Sequence, residues 1–229
     1  MFDQVRAICF DLDDTLWPCA PVIRAAEQRC YDWLAGNAPA LTERYAIEEL
    51  RAHRLALGQS RADIAHDLTE VRRQSLLELL VEQGYPAQLA DQASDVFRAA
   101  RNLVTPFDEV IEALARLRGR YVLVSVTNGN SQIQHTPLHA SFDLSLTAAD
   151  VGAAKPHPAM FEAASEHTGL PLHAFVHVGD DPLRDVQAAR DVGMPTVWVN
   201  RDNLRWPEDV TPADVEISHL DELTALMLD

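Results

Sequence analysis

Apolar residues follow two rhythms along this chain. Short runs that are apolar on both faces occur at residues 5–11 (VRAICFD), Tyr121–Val126, Asp143–Leu146, Ala174–Val178, Thr196–Val199 and Val215–Ile217. Such runs read as buried strands. Helical periods lie between most of them. Asp108–Arg118 places Val110, Ile111, Leu114 and Leu117 on one face, and His157–His167 and Pro182–Val192 alternate with the strands in the same way. This alternation predicts an α/β domain whose parallel sheet is covered on both faces.

Residues 21–104 are different. They contain no convincing strand and much helix-period patterning. Ser60, with Asp63 three residues on, has the form of a capping box. Ile64, Leu68, Val71, Leu76, Leu79 and Leu80 supply an apolar side, and Gly84 and Pro86 end the pattern. A helical block therefore interrupts the α/β domain after its first strand. The expected division is a core of residues 1–16 and 105–229 and an inserted all-helical domain of residues 17–104.

Composition narrows the function classes. The chain has 229 residues and a formal net charge of −16. That charge opposes binding to nucleic acid or an anionic membrane. No apolar run is long enough to span a bilayer. The N-terminus lacks a basic, long apolar, small-residue leader pattern, which reads as a cytoplasmic protein. The cysteines, Cys9, Cys19 and Cys30, are odd in number and form no CxxC, so a disulfide framework and a zinc site are disfavoured. Cys9 reads as a small buried hydrophobe. The basic residues are all Arg except Lys155.

Four clusters carry chemistry. Asp11-Leu12-Asp13-Asp14-Thr15 follows the first strand directly. Residues i and i+2 of extended chain share a face, so Asp11 and Asp13 can point together. Two such carboxylates repel unless a cation or proton sits between them. An EF-hand is excluded, because Leu16 and Val22 stand where that loop needs Gly and Glu. Thr127-Asn128-Gly129-Asn130 ends another strand and offers a hydroxyl, an amide and open backbone N–H groups to an anion, although Asn-Gly is also a common turn pair. Lys155-Pro156-His157-Pro158 fixes its lysine in an extended setting. Where any cation would serve, this chain uses Arg, so a lone Lys suggests that a compact point charge is required. Gly179-Asp180-Asp181-Pro182 follows a fourth strand. Asp181 suits helix N-capping, which leaves Asp180 as the metal-ligand candidate. Hard oxygen ligands at strand ends indicate Mg²⁺, and a hydroxyl with a Lys beside them indicates a phosphoryl group.

The order DxDxT, Thr-Asn, Lys-Pro, GDDxxxD resembles the haloacid-dehalogenase (HAD) superfamily over essentially the whole chain. The resemblance implies a Rossmann-like, doubly wound parallel sheet with an inserted helical cap. It implies Asp11 as nucleophile and Mg²⁺ ligand, and Asp13 as acid/base with its carbonyl on Mg²⁺. Thr127, Asn128 and Lys155 would meet the phosphate, Asp180 would be the remaining carboxylate ligand and Asp185 a supporting residue. The expected function is Mg²⁺-dependent hydrolysis of a small phosphorylated metabolite through an aspartyl-phosphate. His66–Thr69, residues 127–130, residues 177–181 and residues 217–220 are similar to bacterial phosphatases acting on FMN and on the phosphorylated ribitylaminouracil of riboflavin synthesis. Alternatives on the same fold are a 2-haloacid dehalogenase, which needs no metal and gives Asp13 and Asp180 no purpose, and a sugar-phosphate mutase.

Several other features read as structural. Trp17 is read as packing rather than as a stacking platform. Arg72, Arg73, Arg116, Arg118 and Arg120 read as solvated charges, and His135 and His139, with Pro137 between them, as surface residues. No GxGxxG, Walker A or GxSxG motif is present.

Overall fold

A computed structural model describes residues 2–228. Two compact units emerge: one of Met1–Pro18, Thr105–Gly129 and Ile133–Asp229, the other of Cys19–Val104 and Asn130–Gln132. Among the described residues no helix is long and apolar enough to cross a membrane.

The first unit is built on β1 (Ala7–Phe10), β2 (Val122–Thr127), β3 (Leu144–Thr147), β4 (Phe175–Gly179), β5 (Thr196–Val199) and β6 (Val215–Ile217). All five pairings are parallel, in the order β3-β2-β1-β4-β5-β6. This is the Rossmann-like, doubly wound sheet that the alternating pattern and the resemblance imply. The side chains of β1 show why both its faces are apolar. Ala7 and Cys9 enter one cluster with Met160, Phe161, Ala164, Ala188 and Ala189. Ile8 and Phe10, on the opposite face by the two-residue period, are equally closed to solvent. The chain runs outward from β1 to β2 and β3 on one side and to β4, β5 and β6 on the other. The crevice beyond the carboxyl ends of β1 and β4 is therefore the topological switch point, where open sheets of this kind bind ligands.

Two local readings of this unit are corrected. The helix at Val110–Arg118 buries Val110, Ala113, Leu114 and Leu117, while Ile111 is 53% exposed. Ala113, not Ile111, completes the face because it lies about 40° around the helix from Leu117, whereas Ile111 is turned about 100° from Val110. The helix expected over Pro182–Val192 instead opens with a wide π-type turn, Pro182–Gln187, before Ala188–Asp191. The Asp181 carbonyl accepts from both Asp185 N (3.0 Å) and Val186 N (3.2 Å). A turn widened in this way is a frequent device at functional sites.

The second unit is all helical: α1 (Cys19–Asn37), α2 (Pro39–Arg44), α3 (Ile47–Ser60), α4 (Leu68–Glu82) and α5 (Gln88–Arg101). Ala26, Leu34, Leu76, Leu80, Ala93 and Phe97 are central to its core. Ser60 ends α3 rather than opening a helix, its hydroxyl bonded to the Leu57 carbonyl at 2.9 Å. Asp63 is drawn off by a two-pronged bond to Arg61. The working N-cap is Asp67, which accepts from Thr69 N and Glu70 N, seven residues later than the sequence pattern suggests. Arg72 corrects a second expectation: it is only 8% exposed. Arg73, by contrast, meets Glu70 at 2.6 Å on the partly open side of α4.

Candidate active site

β1 places Asp11 at its carboxyl end, where Asp11 N still donates to Val178 O of β4 at 2.9 Å. The chain then turns back on itself. Asp14 takes a positive φ of 59°, Leu16 N returns to Leu12 O, and Asp14 N donates to Trp17 O. Asp13 is thereby turned out of the line of the strand. Its carboxylate accepts from Trp17 Nε1 at 2.9 Å, and Trp17 itself is fully buried. Trp17 thus packs, as read, and also orients Asp13.

Lys155 is the hub of the site. Its ammonium, 1% exposed, lies 2.8 Å from Asp11 Oδ1 and 2.6 Å from Asp185 Oδ1. Asn128 clamps the lysine backbone from both sides: Nδ2 donates to Lys155 O (2.8 Å) and Oδ1 accepts from Lys155 N (2.7 Å). That clamp is the visible work of the Asn128 side chain, and it ties the loop after β2 to the Lys155 loop. Thr127, the buried last residue of β2, accepts from Gly129 N at 2.9 Å through its hydroxyl.

β4 supplies the remaining acids. Asp180 accepts from Thr15 Oγ1 at 3.1 Å, and its carbonyl accepts from Trp198 Nε1 at 2.7 Å. Asp181 caps the following turn through Leu183 N and Arg184 N, as its sequence position suggests. The wide turn then brings Asp185 back against Gly179. A Cβ at Gly179 would stand 2.3 Å from the Asp185 carboxyl carbon, so only glycine admits this approach. Asp185 accepts from Lys155 and His177 (3.0 Å) through Oδ1 and from Asp181 N (3.0 Å) through Oδ2.

Two carboxylates, Asp11 and Asp185, hold one ammonium, and a third, Asp180, lies close to both. Oxygens of Asp11, Asp180 and Asp185 lie within 4.8 Å of one another. Burial first, then the neighbouring acids, pushes Asp11 well above the usual carboxylate range against the pull of Lys155. Burial, with Asp185 next, pushes Asp180 up to about 7. Asp185 goes the other way. Burial would raise it, but Lys155 and the bond from His177 hold it well below the usual range. The asymmetry follows from donor count: Asp185 has three donors, whereas Lys155 is the donor to Asp11. Burial lowers His177, so its ring is neutral and Nε2–H donates to Asp185. A group of oxygen donors with surplus negative charge, taken out of water, fits a hard divalent cation. Asp11 and Asp180 are the members whose charge is least compensated by the protein.

Sequence reasoning brought out Asp11, Asp13, Thr127, Asn128, Lys155, Asp180 and Asp185, and all lie in the first unit: five at or just beyond strand carboxyl ends, Lys155 on the loop after the short helix Ala148–Val151, and Asp185 in the wide turn after β4. It missed three supports. Trp198 holds the Asp180 backbone and stacks edge-on against Trp206. Arg201 donates to Thr15 O from Nε (3.1 Å) and from its terminal nitrogen (2.9 Å), lies 3.8 Å over the Phe107 ring and pairs with Glu109 at 2.8 Å. His177 shares Asp185 with Lys155. An indole inside an apolar strand must find an acceptor, which is a legible signal for Trp198. Nothing in the sequence marks Arg201. His135 and His139 are exposed, as read.

Comparison with known proteins joins this geometry to a lineage. The family model for haloacid dehalogenase-like hydrolases matches residues 5–193. The chain is 31% identical over 232 residues to 5-amino-6-(5-phospho-D-ribitylamino)uracil phosphatase YigB of Escherichia coli, covering 98% of this chain and 97% of that one. It is 29% identical to a phosphoserine phosphatase of Thermus thermophilus, over 96% and 98% of the two chains. Among solved structures, one described as a 2-haloacid dehalogenase from Pseudomonas syringae superposes with a TM-score of 0.91 at 36% identity, covering 97% and 98%. An HAD phosphatase from Thermococcus onnurineus superposes at 0.68 with 26% identity, over the same shares. The chain belongs to the haloacid dehalogenase-like hydrolase family.

Proposed function

We propose that this hydrolase is a Mg²⁺-dependent phosphomonoesterase acting on a small phosphorylated metabolite. The observation that carries the reading is Asp180. A displacement at carbon by Asp11 has no use for a second, half-buried carboxylate within 4.8 Å of the attacking group. Without a cation, that carboxylate only raises the cost of ionising both. Asp11 and Asp180 would hold Mg²⁺, with the Asp13 carbonyl that the family resemblance assigns. Bound there, the ion supplies positive charge against the non-bridging phosphate oxygens and the attacking carboxylate.

The chain's own residues account for the rest. An Asp11 oxygen forms a bond to phosphorus as the ester P–O bond breaks, giving an aspartyl-phosphate. Asp13 gives its proton to the departing alkoxide, then takes one from the water that attacks the same phosphorus. That second attack releases inorganic phosphate and restores Asp11. Trp17 Nε1, bonded to Asp13 Oδ1, orients the carboxylate for this traffic. Lys155 offsets repulsion between carboxylate and phosphate. At about 4 Å and an effective dielectric of about 20, each unit-charge pair is worth roughly 4 kcal/mol. The Thr127 hydroxyl would donate to a phosphate oxygen while it still accepts from Gly129 N.

The relatives named for phosphatase activity support this reading, as does near-complete coverage of the ribitylaminouracil phosphatase. FMN and phosphoribitylaminouracil are the first substrates to test. The dehalogenase reading is kept because of the structural neighbour so described. One assay separates them. Phosphate release from a panel of phosphomonoesters, and chloride release from 2-chloropropionate, should be measured with Mg²⁺ and after exhaustive chelation. Phosphate release that needs Mg²⁺ supports the proposal. Metal-independent chloride release with no phosphatase activity replaces it.

A further inference from the structure

We propose that the helical unit binds a small monovalent anion of halide size beside Arg72. The argument does not depend on the phosphatase reading, because every residue in it lies in α1, α3, α4 or α5.

Arg72, on α4, is 8% exposed and lies with its guanidinium carbon 3.3 Å over the Phe97 ring. Its nearest carboxylate oxygen is Glu27 Oε1 at 3.7 Å, past hydrogen-bonding distance. That same oxygen is already held at 2.6 Å by Arg54. A largely buried guanidinium with five N–H donors thus has a π face on one side and, at its edge, one long contact to a carboxylate that it shares with Arg54. Buried charges are normally both paired and hydrogen-bonded.

The missing partner has a place to sit. A cavity of about 30 Å³ takes its polar lining from Arg72, Arg54, Arg51, Glu27, Tyr31 and Ser75, and the rest of its wall is Cys30 and aliphatic side chains. Its hydroxyls are already used: Tyr31 bonds the Thr42 and Tyr45 carbonyls, and Ser75 bonds His53 Nδ1 at 2.8 Å. The remaining N–H donors among the polar lining residues belong to arginines. Among these walls three cations meet one carboxylate. Glu78, the other nearby acid, turns instead to His53 at 3.5 Å. Burial, with the charge of Arg54 next, lowers the pKa of Arg72 to about 9 although Glu27 opposes the shift, the direction expected where two cations share one carboxylate. A space of this size admits a water or a monatomic ion. Water would satisfy N–H groups and leave the charge uncompensated. A halide does both, and guanidinium is weakly enough hydrated to prefer it.

The test is thermal unfolding of the full chain in sodium chloride or bromide against sodium gluconate at equal ionic strength. Gluconate screens surface charge but cannot enter the cavity. A halide that binds only the native state should raise the midpoint with the logarithm of its concentration above its dissociation constant, by about 5–10 °C at about 100 times that constant, with no matching rise in gluconate. Arg72→Met should abolish the difference. Should that variant fail to fold, anomalous scattering from wild-type crystals grown in bromide decides: a bromide peak between Arg72, Arg54 and Tyr31 supports the site. Superposed halide and gluconate curves, a halide response retained in Arg72→Met, or a cavity holding only water would each overturn it.

Discussion

The two units bury ionised groups in opposite proportion. In the α/β unit, Asp11, Asp180 and Asp185 cluster with the single ammonium of Lys155, which meets Asp11 and Asp185. In the helical unit, Arg54 and Arg72 share the single carboxylate of Glu27. The first arrangement has surplus negative charge at the mouth of a parallel sheet, and the second has surplus positive charge inside a helix bundle. Each is costly by itself, because an ion taken out of water loses several kcal/mol that only close partners restore. The difference lies in how the surplus is held. The acids are fixed by a network in which Asp185 alone accepts three hydrogen bonds, so their charges converge at one point. The arginines are held by one hydrogen bond and a ring face, so their charge is confined but poorly directed. Convergent surplus charge suits a reaction, whereas diffuse surplus charge suits a counter-ion.

The most damaging change to the first arrangement is Asp11→Asn. It removes the nucleophile, and turnover should fall on the order of a thousandfold or more, as it does when the attacking group of a covalent mechanism is deleted. It also removes one of three mutually repelling carboxylates, so unfolding measured in chelator should occur at the same temperature or higher. Near-native phosphate release by this variant would rule out attack by Asp11. Lower stability in chelator would mean that the surplus negative charge is not a cost.

A subtler change is Lys155→Arg, which keeps the charge. The ammonium reaches two carboxylate oxygens at 2.8 and 2.6 Å from a site that is 1% exposed. A planar guanidinium has no room to do so without pushing Asp11 aside. A displacement of about 1 Å at the reacting group can cost on the order of 100-fold. The loss should appear in kcat with KM little changed, since the attraction for substrate survives. Wild-type kinetics would show that a cation of any shape serves there.

Much of this site was legible because its members stand at strand ends. A strand is short, its side chains alternate, and an acid placed directly after an apolar run has little freedom in where it goes. Asp11, Thr127 and Asp180 could therefore be read from position alone, and Lys155 from being the single lysine in the chain. What could not be read depends on how distant segments close. Asp13 leaves the strand direction because Asp14 takes a left-handed turn, which the sequence does not mark. Asn128 became a clamp on Lys155 only because two loops 27 residues apart meet. Arg72 was taken for a solvated charge because its neighbour Arg73 is one, and a helix turns neighbours to different faces. The helical unit was harder throughout: α3 buries no residue at all, so periodicity gave it no apolar stripe to mark.

The helical surplus is tested by Glu27→Gln. The substitution keeps the shape and leaves two guanidinium groups without their carboxylate. Breaking a buried pair costs about 3–5 kcal/mol when both partners are fully enclosed. Arg54 is 17% exposed and recovers some hydration, so a loss of about 2 kcal/mol is the expected size. It should be read from denaturant unfolding at low halide and should shrink as halide is added, because an anion can then take over part of the lost role. No loss of stability would mean that Glu27 does not hold the arginines. Phosphate release at a temperature where the variant is folded should match wild type.

The smallest effect concerns the thiols, which report on each unit separately. Cys9, in β1, is fully buried, and burial pushes its thiol up to about 12. Cys30, in α1, is 4% exposed and is likewise raised by burial, with Arg72 and Arg54 opposing. Cys19 is partly exposed. A thiol-specific reagent at pH 8 should therefore modify Cys19 first, and reach Cys9 and Cys30 only when their units open. An ion that binds only the closed form slows modification by the factor one plus concentration over dissociation constant, which is about tenfold at ten times that constant. Mg²⁺ should thus protect Cys9 while halide protects Cys30, with mass spectrometry identifying each site. Protection of both thiols by either ion would show that the units open as one. Protection of Cys9 by halide alone would reverse the assignment of surplus charge argued above.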